Sequence, residues 1–125
     1  MSQLILILED SELVAGMLEM ICAQLGYRTV CAYAFADVAA KIAGESPAVI
    51  ISDLNLPDAP GKDPISALRG IPSLSTTPTI IISGIAQSEL DAIAAERGAQ
   101  GAISKDAGMP GMMTRLQQLL PELTG

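Results

Sequence analysis

Leu4-Ile5-Leu6-Ile7-Leu8-Glu9-Asp10-Ser11 changes character twice within a short span. The unbroken apolar run reads as a strand covered on both faces, the pattern of a parallel sheet. Two acids follow at once, and Ser11 then stands as an N-cap for a segment of different period. Val14, Met17, Leu18, Ile21 and Leu25 recur at helical spacing, and Gly26 supplies the stop. A strand running directly into a helix with one apolar stripe is the opening of a βαβ unit, and the rest of the chain repeats the alternation. Residues 28–31 read as a second strand, residues 36–44 as an Ala-rich helix with Val38 and Ile42 on one face, and residues 49–52 as a third strand after Pro47. A loop over residues 54–63 holds Pro57, Pro60 and Gly61, and Pro64 opens a short helix to Arg69 as its first helical residue. Residues 73–78 form another loop before a strand at 79–82. A helix at 88–97 stops at Gly98, a strand follows at 102–104, and the last helix runs from Pro110 through Leu116, Leu119 and Leu120 to Pro121. Five strands and five helices in strict alternation predict the α/β class, a doubly wound five-stranded parallel sheet.

Composition narrows the function. The chain has 125 residues, half of them apolar, which suits one domain spanning residues 1–125 and leaves no room for a second. Fourteen acidic residues against 7 basic ones give a net charge of −7, the wrong sign for a surface that neutralises nucleic-acid phosphates. No apolar run reaches the roughly 18 residues that span a bilayer, and no cleavable leader is evident, so a cytoplasmic location is expected. Cys22 and Cys31, without further Cys or any His, make neither a zinc site nor a CxxC motif and read as reduced packing residues. The absence of histidine removes Ser-His-Asp and Cys-His catalysis and any phosphohistidine on this chain. A phosphoryl group carried here must sit on a carboxylate.

Four apolar runs end on chemistry: Glu9-Asp10 after the first strand, Asp53 after the third, Ser83 after the fourth and Lys105 after the fifth. In an open parallel sheet ligands bind beyond the carboxyl ends of the strands, so topology gathers these residues at one edge. Each alone has an ordinary reading. Adjacent acids before a helix either ligate a hard cation or favour the helix dipole. Asp53 is a nucleophile or the start of a polar turn, Ser83-Gly84 a phosphoryl contact or a strand-ending turn, and Lys105 a fixed positive charge or a solvated one. Together they point to phosphoryl transfer, because three converging carboxylates repel one another unless a metal neutralises them. Mg²⁺ suits such a site: it uses one or two carboxylates, keeps waters and leaves a position for phosphate.

These residues resemble the receiver domain of bacterial two-component response regulators, from Leu4 to Leu120. Leu-Ile-Leu-Glu-Asp-Ser at 6–11 is similar to the family's acidic pair, and Ser-Asp-Leu-Asn-Leu-Pro at 52–57 to its phosphoacceptor motif. Gly61, Ser83, Gly98-Ala99 and Lys105 fall where the family has its loop glycine, fourth-strand hydroxyl, glycine-alanine pair and fifth-strand lysine. The resemblance implies a flavodoxin-like sheet of strand order 2-1-3-4-5 and Asp53 as phosphoacceptor. It implies Mg²⁺ held by Asp10, Asp53 and the Asn55 carbonyl, with Glu9 acting through water. It further implies a phosphohistidine donor on a histidine kinase or a histidine phosphotransfer protein, a downstream protein partner of unknown identity, and no enzymatic activity beyond the chain's own phosphorylation and dephosphorylation.

Two positions depart from the family. Asp106 stands where a cis-proline usually follows the lysine; a cis bond before a non-proline residue costs about 2.5 to 4 kcal/mol, so a trans link is expected. Ala102 stands where an aromatic residue usually changes position on phosphorylation, and a methyl group cannot act in that way. The expected action is therefore partner binding, or service as a phosphate shuttle or sink, with no output domain. One alternative is a receiver-like interaction module that works without phosphorylation. A dehalogenase-type phosphatase is disfavoured because Asn55 replaces that family's second acid, and a flavodoxin-like nucleotide binder because no glycine-rich loop follows the first strand. Leu13, Ala15 and Gly16 on the first helix are the expected contact for a kinase helix, and Met109, Met112 and Met113 fill the core or adapt to a partner.

Overall fold

A computed structural model describes residues 3–59, 61 and 63–125; Pro60, part of the expected loop, lies outside them. The strands are β1 (Leu4–Leu8), β2 (Arg28–Ala32), β3 (Val49–Asp53), β4 (Thr79–Ser83) and β5 (Gly101–Ser104), all parallel, in the order β2-β1-β3-β4-β5. The helices are α1 (Glu12–Gln24), α2 (Val38–Lys41), α3 (Pro64–Arg69), α4 (Gln87–Arg97) and α5 (Gly108–Thr124). The predicted class and strand order are observed.

Strand periodicity explains the two cores. Successive side chains of a strand point to opposite faces. Ile5 and Ile7 of β1, Val49 and Ile51 of β3, Ile80 and Ile82 of β4 and Ile103 of β5 therefore share one face with Leu18 and Ile21 of α1 and Leu116 and Leu120 of α5. Leu6, Leu8 and Ile50 meet Val38, Ile42 and Leu68 on the other face, where Ile81 and Ala102 meet Leu90 and Ala94 of α4. Cys22 is buried on α1 and Cys31 half-buried on β2, both as free thiols; burial, with nearby Glu19, pushes each up to about 12, so neither is a nucleophile at neutral pH. Met112 is buried and Met109 and Met113 pack against the same core, which makes the methionine cluster a filling element.

The helix boundaries depart furthest from the sequence reading at the second and last helices. The Ala-rich segment at 36–44 holds only one turn of α-helix, preceded by a 3₁₀ turn at Phe35–Asp37. Val38 and Ile42 are its only buried side chains, so little tertiary packing supports a longer helix, and Gly44 at φ +77° turns the chain away. The last helix, by contrast, starts two residues before Pro110 and passes through Pro121. A proline in the first turn needs no intrahelical partner for its nitrogen. Pro121 costs the helix one hydrogen bond, but side chains fasten the final turn: within it Thr124 Oγ1 donates to the Leu120 carbonyl at 2.7 Å, and from outside Gln3 Nε2 donates to the Thr124 carbonyl at 3.2 Å.

Strands β3 and β4 each extend one residue further than predicted, so Asp53 and Ser83 are strand-terminal residues rather than loop residues. In register, Asp53 faces Ile82 and Ser83 faces Ser104. β4 and β5 thus end opposite each other, directly before Lys105, and β3 ends one residue short of them.

Candidate functional site

Glu9 leaves β1 with its backbone still in the sheet, its N–H donating to the Ala32 carbonyl at 3.1 Å. Its side chain is fully buried, and its Oε2 accepts from the Ser11 N–H at 3.0 Å. Ser11 caps α1 through its Oγ, which accepts from the Val14 N–H at 3.3 Å. Asp10, between them, is exposed. Asp53 is only 5% exposed, and its Oδ1 accepts from the Asn55 N–H at 3.0 Å, which orients the carboxylate in the turn after β3. One carboxylate oxygen from each of Glu9, Asp10 and Asp53 lies within 4.8 Å of the others.

Lys105 answers this charge. Its Nζ stands 2.6 Å from Glu9 Oε1 and 3.4 Å from Asp53 Oδ2, so the ammonium bridges the two buried acids and leans towards Glu9. Burial pushes the Glu9 carboxyl up to about 7 against the pull of Lys105 and the Ser11 N–H, with Asp10 and Asp53 adding to the rise. Burial acts to lower the Lys105 ammonium, but Glu9 and Asp53 outweigh it and hold its pKa above the usual value. Ser83 is buried at the end of β4, its Oγ accepting from the Ile85 N–H at 3.4 Å.

The sequence-predicted residues Glu9, Asp10, Asp53, Asn55, Ser83 and Lys105 therefore stand at one sheet edge. The direct Glu9–Lys105 contact was not visible in the sequence, because lateral distances across two intervening strands leave no pattern along the chain. Asp58 was also missed. Its two oxygens accept from the Phe35 and Ala36 N–H groups, both at 3.0 Å, tying the loop after Asp53 to the turn before α2; these bonds hold its carboxyl below the ordinary value. The acid just after Pro57 was the available signal, since such residues cap backbone amides. Ala15 corrects an expectation in the other direction: it is fully buried in the core, whereas Leu13 is 76% exposed and Gly16 is exposed.

The two family departures have clear local outcomes. The Lys105–Asp106 link is trans, there being no cis peptide among the described residues. Ala102 is buried among Leu54, Ile65, Ile81, Leu90 and Ala94, and its carbonyl accepts from Gln87 Nε2 of α4 at 3.0 Å and Arg115 Nη2 of α5 at 2.9 Å. Polar side chains from two helices hold this strand.

Comparison with known proteins agrees with the geometry. The family model of the response regulator receiver domain matches residues 5–117. The transcriptional regulatory protein KdpE of Mycobacterium tuberculosis is 31% identical over 114 residues, covering 91% of this chain and 49% of the relative. The transcriptional regulatory protein YxdJ of Bacillus subtilis is 36% identical over 101 residues, covering 81% and 43%. The chain thus spans about half the length of the curated relatives it matches. Among solved structures, a response regulator from Desulfuromonas acetoxidans superposes with a TM-score of 0.79 at 20% identity, over 97% of this chain and 98% of that one. The receiver domain of a sensor histidine kinase from Pseudomonas aeruginosa, solved with a magnesium ion coordinated in its active site cleft, gives 0.77 at 23% identity, over 100% and 99%. Among the described residues no helix is long and apolar enough to cross a membrane. With the sheet order, the acidic edge and the family match in agreement, this chain belongs to the response regulator receiver domain family of two-component signalling.

Proposed function

We propose that Asp53 accepts a phosphoryl group from a phosphohistidine on a histidine kinase or histidine phosphotransfer protein. The observation that carries this reading is the gathering of Glu9, Asp10 and Asp53, with the Lys105 ammonium against Glu9 and Asp53, at the sheet edge where β4 ends on Ser83. Three carboxylates against one ammonium leave a surplus of negative charge, and all the side-chain ligands are hard oxygens, so the donor set fits Mg²⁺. Asp10, exposed, and Asp53 would hold the ion with the Asn55 carbonyl, and Glu9, committed to Lys105 and the Ser11 N–H, would act through water. When bound, the ion neutralises phosphoryl oxygens as negative charge shifts onto them.

The chain's own residues do the rest. The Asn55 N–H fixes the Asp53 carboxylate through Oδ1, so the attacking group is oriented before the donor arrives. A carboxylate oxygen of Asp53 forms the new O–P bond as the donor's N–P bond breaks, and the departing imidazole takes up a proton from solvent. Lys105 places positive charge beside the new acyl phosphate, and Ser83 offers an O–H to a phosphoryl oxygen. Hydrolysis reverses the charge flow: water attacks phosphorus and the Asp53 carboxylate leaves. Incubation with acetyl phosphate and Mg²⁺ should add one phosphoryl group by intact mass to the wild type and none to Asp53→Asn. Equal labelling of the variant would refute the assignment.

Contact with the phosphodonor protein falls to Leu13 and Gly16 on the open face of α1, since Ala15 lies in the core. Leu13→Glu should slow transfer from a phosphohistidine protein about five- to hundredfold, as loss of a well-packed apolar contact costs about 1 to 3 kcal/mol, while leaving the acetyl phosphate rate unchanged. Ala15→Glu should unfold the protein instead, because it buries a carboxylate with no partner at a cost of roughly several kcal/mol. A soluble, folded Ala15→Glu protein by circular dichroism would contradict the packing. A downstream protein partner would read a face around β5 that carries no aromatic ring at position 102, where Gln87 and Arg115 hold the Ala102 carbonyl.

A further inference from the structure

Ser104 is the last residue of β5, directly before Lys105, and its side chain makes two hydrogen bonds that reach in different directions. Its Oγ donates to the Ile85 carbonyl at 2.7 Å and accepts from the Asp106 N–H at 3.2 Å. Ile85 in turn donates its N–H to Ser83 Oγ. One buried hydroxyl therefore connects the turn that carries Lys105 to the loop that follows Ser83. Resting on the phosphoryl-transfer reading of the site, we infer that Ser104 is a positioning residue. It keeps the Lys105 ammonium and the Ser83 hydroxyl in fixed register across the two strands.

Local chemistry gives the reason. A trans peptide with Asp106 after the lysine presents an N–H that a proline would lack, and Ser104 Oγ is the acceptor it meets. A serine hydroxyl has a single hydrogen. Once that hydrogen is given to the Ile85 carbonyl, the lone pairs are left for Asp106, and each bond polarises the other. The backbone of Ser104 is fixed independently, its N–H donating to Gln87 Oε1 at 2.9 Å while Gln87 Nε2 donates to the Ala102 carbonyl. The side-chain amide thus pairs with the outer edge of β5 as a neighbouring strand would. With the strand held from outside, the hydroxyl governs only the turn and the loop, which are the parts that bear Lys105 and Ser83.

The test separates positioning from metal binding and from folding. Ser104→Ala and Ser104→Cys remove the hydroxyl with and without loss of volume, and Ser104→Thr keeps it. At saturating Mg²⁺ and with acetyl phosphate as donor, the Ala and Cys variants should be phosphorylated about tenfold more slowly than wild type, the scale of a small misplacement of the reacting groups. Their Mg²⁺ dissociation constants should change by less than about threefold, since Glu9, Asp10, Asp53 and Asn55 are untouched, and Ser104→Thr should recover most of the rate. Wild-type rates in both Ala and Cys variants, or a fall in Mg²⁺ affinity that matches the fall in rate, would overturn the inference. Amide spectra without any phosphodonor decide it independently: Ser104→Ala should move the Ile85 and Asp106 signals together with those of Ser83 and Lys105. If wild type itself takes no phosphoryl group, the site reading fails. The tie then stands or falls on whether the Ser83 and Lys105 signals move.

Discussion

Lys105→Met will lower stability far more at pH 8 than at pH 5. Lys105 Nζ is the counter-charge for two acids, Glu9 at 2.6 Å and Asp53 at 3.4 Å, and the Glu9 carboxylate is wholly shielded from solvent. Removing one member of a buried pair costs about 3 to 5 kcal/mol, an upper figure here because a quarter of the Lys105 side chain is exposed. The direction with pH follows from Glu9. Its pKa is raised from 4.5 to about 7, so its neutral form favours folding. That contribution is complete below 4.5 and is lost as pH rises through about 7. Without the ammonium the carboxyl rises further and escapes part of the penalty at pH 5 by staying protonated, whereas at pH 8 it must ionise in place or unfold the edge of the sheet. Urea denaturation at the two pH values measures the difference, and equal losses would contradict the pairing. The same variant should lose phosphorylation by about a hundredfold or more, the usual scale for removing a group that meets developing negative charge.

Asp10→Ala will weaken Mg²⁺ binding about a hundredfold, and Glu9→Gln by about tenfold at most. The exposed carboxylate of Asp10 is free to meet the ion directly, whereas Glu9 is engaged by Lys105 and the Ser11 N–H and so acts on the ion at one remove. Titration followed by amide shifts gives both constants. Wild-type affinity should also fall as pH drops through about 7, because protonated Glu9 no longer contributes its charge, and Glu9→Gln should flatten that dependence. A Glu9→Gln loss larger than that of Asp10→Ala would reverse the assignment of the two acids.

Much of this was legible in residues. The run Leu4–Leu8 had to be a doubly covered strand because it offers no polar side chain to water, and both of its faces are buried against helices. Asp53, Ser83 and Lys105 could be placed at one edge because each follows an apolar run, and parallel topology brings such ends together. What could not be read depends on distances between strands. Nothing along the chain says that Lys105 leans to Glu9 rather than Asp53, or that Ser104, an ordinary strand residue by pattern, donates across to Ile85. Ala15 was misplaced for a related reason: residues at adjacent helix positions differ by about 100° in direction, so Leu13 and Ala15 cannot share one exposed face, and the core stripe of Leu18, Ile21 and Cys22 takes Ala15 with it. The second helix was overestimated because alanine favours helix formation without supplying the burial that sustains it.

The central claim is that the phosphoryl group rests on the Asp53 carboxylate as an acyl phosphate. Borohydride reduces an acyl phosphate to the corresponding alcohol, so treating the phosphorylated protein and sequencing its peptides by mass spectrometry reads the position of attachment. Homoserine at position 53 alone, absent when Mg²⁺ is chelated, is the predicted result. Reduction at Asp10 or another acid, or phosphate that resists borohydride as a serine ester at Ser83, would contradict it.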